Sequence, residues 1–136
     1  MPWELIDHTG DIGLRVRAPS FELLLAESAR GMFEQIADLS GVRLQLEEVV
    51  VVEAEEPGEL FRAWLAELLY KFSADGRIYV DFDVTLEPGR VRGRVRGERY
   101  DPARHPLRTE LKAVTYHQLR VAQEKDGWIA QVIFDV

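Results

Sequence analysis

The chain has 136 residues, 46% of them hydrophobic, enough for one globular domain over residues 1–136 with a sizeable buried core. A formal net charge of -7 argues against a dedicated nucleic-acid binder, and the absence of cysteine excludes disulfides, thiolate metal sites and cysteine nucleophiles. The opening Met-Pro-Trp-Glu-Leu lacks a basic leader, and no apolar run approaches the ~18 residues of a membrane span, so a cytoplasmic protein is expected.

Trp3 to Ile6 and Ile12 to Arg17 read as two strands of a hairpin, the second alternating apolar with small or charged residues. Between them lies Asp7-His8-Thr9-Gly10-Asp11-Ile12-Gly13, the densest chemistry in the chain. It reads either as carboxylates converging on a cation or proton, or as an Asx-type turn in which Thr9 and Asp11 bond local amides. Pro19-Ser20 breaks the strand, Ser20 suits an N-cap, and Phe21, Leu24, Leu25, Met32, Phe33 and Ile36 recur at helical spacing, predicting a helix that ends before Gly41. Gly31 inside it implies close packing against a neighbour.

Val42 to Glu53 predicts a strand that passes from half-buried to fully buried at Val49-Val50-Val51-Val52. A second helix opens at Pro57, carries Leu60, Phe61, Trp64, Leu65, Leu68, Leu69 and Phe72 as a wide apolar stripe, and stops at Asp75-Gly76. Ile78 to Leu86 and Val91 to Gly97 alternate on either side of Glu87-Pro88-Gly89, a hairpin. Asp101 to Pro106 is a polar connection, and Leu111 to Val121 and Trp128 to Phe134 form a last pair of strands joined at Glu124-Lys125-Asp126-Gly127. The order predicts an α+β fold: one two-layer domain of mainly antiparallel sheet packed with two helices.

Arg90, Arg92, Arg94 and Arg96 share one strand face. They read as an RNA-steering patch or as a solvated face that blunts an edge, and the lack of alternating aromatics favours the second; Asp81 and Asp83 are placed to pair with them. His105 sits between prolines with no identifiable partner, whereas His117 belongs to Lys112-Ala113-Val114-Thr115-Tyr116-His117, read as one strand with Lys112, Val114 and Tyr116 on one face and His117 on the other. No nucleophile elbow, phosphate loop or dinucleotide fingerprint is present. Phe134-Asp135-Val136 sets an acidic side chain beside the α-carboxylate of Val136, and oxygens from both suit a hard cation.

Asp7-His8-Thr9-Gly10-Asp11-Ile12, the helical run Ala63 to Tyr70, Leu111 to His117, and Val132 to Val136 together resemble the archease family across nearly the whole chain. Glycine stands at position 10, where that family has alanine. The resemblance implies an activator of the RNA-splicing tRNA ligase, a non-enzymatic partner that promotes ligase guanylylation and repeated turnover and meets RNA only through the ligase. It also implies a bound calcium, with Asp11, Asp135 and Val136 as ligands, magnesium being the other candidate ion. Lys112 would be a polar neighbour important to the partner's chemistry, with His8 and His117 near the site. Two other classes remain: a chaperone-like or RNA-binding modulator, motivated by the arginine row, and a metal-dependent hydrolase using His8 or His117 as base.

Overall fold

The computed structural model describes residues 2–8 and 10–136, apart from the side chains of Asp7 and His8; Thr9 and its expected amide contacts lie outside the described residues. Two antiparallel sheets and two helices share one core, an α+β architecture. Strands β1 (Trp3–His8) and β2 (Asp11–Ala18) form the expected hairpin, closed at Gly10 with φ 75°. Helix α1 (Phe21–Ile36) follows, with Ser20 Oγ accepting the Leu23 N–H at 3.2 Å as its N-cap. It ends at Ile36, and Gly31 lies against Trp3, where a Cβ would come within 3.0 Å of the indole.

Strand β3 (Leu46–Glu53) starts four residues later than the alternation from Val42 implied. The expectation that its valine run becomes fully buried is overturned: Val50 is buried, but Val49 and Val51 are 57% and 40% exposed. The reason is topological. β3 is an outer strand of a three-stranded sheet ordered β3, β5 (Arg90–Arg99), β4 (Arg77–Glu87), and only one face of that sheet meets the core. Helix α2 (Pro57–Asp75) buries Leu60, Phe61, Trp64, Leu65, Leu68 and Leu69 and ends with Gly76 in the left-handed conformation. Its Trp64 fills the space above Gly93 and donates Nε1–H to the Leu25 carbonyl of α1 at 2.9 Å, joining both helices to this sheet.

The predicted strand from Leu111 to Val121 is instead two pieces. Only β6 (Ala113–Val114) and β7 (Arg120–Glu124) are strands, and both pair with β8 (Gly127–Asp135), whose other neighbour is β2. Between them the chain leaves the ladder in a turn in which Leu119 N–H bonds the Tyr116 carbonyl and Gln118 adopts φ 51°. The apolar residues of this stretch satisfy a strand pattern, but β8 is already paired along its length on either side of the excursion. Ala130, Val132 and Phe134 of β8 face the helices, while the opposite parity ends at Asp135.

Candidate functional site

One end of the larger sheet gathers the residues singled out above. Antiparallel register sets Asp11 directly opposite Asp135 and Ala113 opposite Asp135 on its other side. His8 is the backbone partner of Asp11, so the same sheet end holds its main chain; its side chain lies outside the described residues. Directly opposed residues share a face with their Cβ atoms about 4.5–5.5 Å apart, close enough for both carboxylates to reach one ion. The face is the one turned away from the helices, since the neighbouring parity, Ile12 and Phe134, packs into the core.

Lys112 precedes β6, is exposed, and donates its backbone N–H to the Asp135 carbonyl at 2.8 Å. It therefore stands beside the paired aspartates through a main-chain bond, rather than on the continuous strand face expected for it. His117 is also relocated: it lies in the turn between β6 and β7, its N–H donating to Thr115 Oγ1 at 3.2 Å, and not on a strand face with Ala113 and Thr115. Val136 follows β8 directly and is exposed.

Like charges directly opposed across a sheet repel each other, and a cation held between them would relieve that repulsion. Among the described residues, no three His, Cys, Asp or Glu side chains gather into a metal cage on their own. Among the described side chains at this sheet end, Asp11 and Asp135 offer carboxylate oxygens, and Val136 follows the latter. Carboxylate oxygens suit a hard cation that completes its shell with water, and the absence of cysteine leaves no thiolate for a zinc site.

The arginine row is already compensated. Arg94 bonds Asp83 at 3.0 Å, Arg96 pairs with Asp81, and Arg90 reaches Glu53 at 2.8 Å and Glu87 at 4.0 Å. Arg92 lies 3.9 Å from Glu87. Acidic residues on β3 and β4 flank the row on both sides, so the face offers alternating charge, as a solvated face does, but β5 is the central strand of its sheet and the row blunts no edge.

A cluster that the sequence did not suggest lies at the far end of β5. His105, expected to have no partner, is 0% exposed: its Nδ1 accepts the Asp101 N–H at 2.9 Å and its Nε2 sits 3.1 Å from Glu98, slightly off hydrogen-bond alignment. Accepting at Nδ1 puts a ring proton on Nε2, facing the carboxylate. Glu98, 2% exposed, also pairs with Arg104 and accepts the Arg43 N–H. Burial pushes the Glu98 carboxyl up, but the Arg43 amide, Arg104 and His105 outweigh it and hold it down at about 2. The only sequence signal was an acid two residues past the arginine row, followed by a proline-bounded loop that folds back over it. These groups lock the loop onto the sheet.

The model of the Archease protein family (MTH1598/TM1083) matches residues 3–136. A "Protein archease" of Methanopyrus kandleri is 42% identical, with both chains covered over 100% of their length, and one of Pyrococcus furiosus is 34% identical over 98% of each. The solution structure of Methanobacterium thermoautotrophicum protein 1598 superposes with a TM-score of 0.87 at 29% identity, covering 99% of each chain.

Proposed function

The chain belongs to the archease family, and from that premise we propose that it is a calcium-binding protein activator of an RNA-splicing tRNA ligase in the cytoplasm. The reading rests above all on the register that opposes Asp11 and Asp135 and ties Lys112 to the same sheet end. Asp11, Asp135 and the α-carboxylate of Val136 would hold the ion, which supplies the positive charge that lets neighbouring carboxylates coexist. Lys112 extends an ammonium into solvent next to that centre, where it meets a partner's anionic groups. His8 adds its backbone to the site, and His117 lies in the turn that follows β6.

A hydrolase with His117 as its base is disfavoured by the placement of that residue in the turn after β6. An RNA-binding modulator is disfavoured by the pairing of the arginine row with Asp81, Asp83, Glu53 and Glu87. The decisive experiment is guanylylation and multiple-turnover ligation by the cognate ligase with and without this protein. Substoichiometric protein raises both; unchanged rates would remove the reading.

A further inference from the structure

The segment that carries Lys112 is weakly built on its own. Strand β6 has two residues, and the turn after it includes Gln118 at φ 51°, a conformation non-glycine residues rarely adopt. Its ladder to β8 is reinforced by Thr115, whose N–H and Oγ1 both donate to the Ile133 carbonyl, at 3.0 and 2.9 Å. A second support comes from outside the sheet. Arg62 of α2 donates its Nε–H to the Val114 carbonyl at 3.2 Å, and its guanidinium carbon lies 4.0 Å from the Tyr116 ring centroid. The Tyr116 hydroxyl in turn reaches Glu59, one turn earlier on the same helix, at 3.4 Å. α2 is itself anchored by Leu60, Phe61, Trp64 and Leu65, so it is a rigid base from which to hold a short strand.

We propose that Arg62 is a positioning residue: it clamps β6 and the Tyr116 turn onto α2 and so fixes Lys112 beside Asp135. The clamp acts on two unlike features, a carbonyl in the ladder and a ring outside it, so the strand cannot slide along β8 without breaking one of them. Its importance for ligase activation rests on the function proposed above, whereas the clamp itself does not.

The test compares Arg62→Met, which keeps the aliphatic stem, with Arg62→Lys, which restores a cation over the ring. Amide exchange is read at Lys112 and Thr115, with Leu14 and Val132 as references in the same sheet, and ligase guanylylation is measured alongside. Arg62→Met should speed exchange at Lys112 and Thr115 by about tenfold, leave the reference amides unchanged and lower activation, with Arg62→Lys recovering part of both. Unchanged exchange at Lys112 and Thr115, or equal acceleration at all four amides, overturns the proposal. So does full ligase activation by Arg62→Met. If local exchange rises but the unmodified protein activates no ligase, the clamp stands and the ligase reading falls.

Discussion

Asp11 and Asp135, 124 positions apart in the sequence, are direct antiparallel partners on β2 and β8, with Ala113 of β6 flanking Asp135 on its other side. Two strands thus deliver two carboxylates to one sheet end, and a third flanks them. A cation held between them would relieve the repulsion of like charges opposed across the ladder.

Calcium should therefore stabilise the fold in a way that depends on both aspartates. At ~100 times its dissociation constant, an ion bound only by the native state contributes roughly 2.7 kcal/mol, a rise of roughly 10 °C in Tm for a domain of this size. Asp11→Asn and Asp135→Asn should each abolish most of that shift. Calorimetric titration and thermal melts with calcium, magnesium and chelator check this; equal ion-dependent shifts in all three proteins would rule out the site.

Lys112→Ala should lower ligase activation while leaving the melting temperature within roughly 2 °C, because an exposed side chain away from the core changes stability by less than about 0.5 kcal/mol. The bond from its backbone to Asp135 survives the substitution. Guanylylation assays run beside circular dichroism separate the two effects, and undiminished activation would remove Lys112 from the mechanism.

The Glu98 cluster makes acid stability depend on one carboxylate. Its pKa in the folded protein, about 2, lies below its ordinary value of 4.5. Native Glu98 thus stays charged where the unfolded chain takes up a proton, so its contribution is present above pH 4.5 and lost as pH falls toward 2. Glu98→Gln should cost about 3 kcal/mol at neutral pH, since Arg104 and His105 lose their charged partner, and should flatten the loss of stability between those pH values. Urea unfolding across that range measures both; parallel curves for the two proteins would contradict the assignment.

Gly93→Ala should be disruptive although alanine is small. Its Cβ would lie 2.2 Å from the Trp64 ring, which is fully buried and fixed by its bond to Leu25. Overpacking of this kind costs about 1–3 kcal/mol, and the displaced indole should shift its fluorescence. A variant with unaltered stability and spectrum would show that the helix can move away from the sheet.

Local pattern sufficed for much of this molecule. Ser20, Pro57 and Gly76 mark helix ends through capping, a preset φ and a left-handed turn, effects that act within a few residues; the apolar stripes of α1 and α2 and the hairpins at Gly89 and Gly127 follow from periodicity in the same way. Asp11, Asp135 and Lys112 stand in motifs legible along the chain, and the archease resemblance rests on the order of those motifs. Whether they meet is a matter of strand register, which depends on pairings across more than a hundred residues and leaves no local trace. The same limit explains the exposed Val49 and Val51, whose burial depends on what covers the sheet, and the division of the Leu111–Val121 run, which only its partner β8 could impose. His105 is the sharpest instance: flanked by prolines, it has the local marks of a surface loop, and it is buried because that loop closes over Glu98, a contact between segments that neither side announces. Propensity, capping and turn chemistry are written in neighbouring residues and were determined by sequence alone. Register, burial and charge pairing come from segments brought together by folding, so only the tertiary structure decided them.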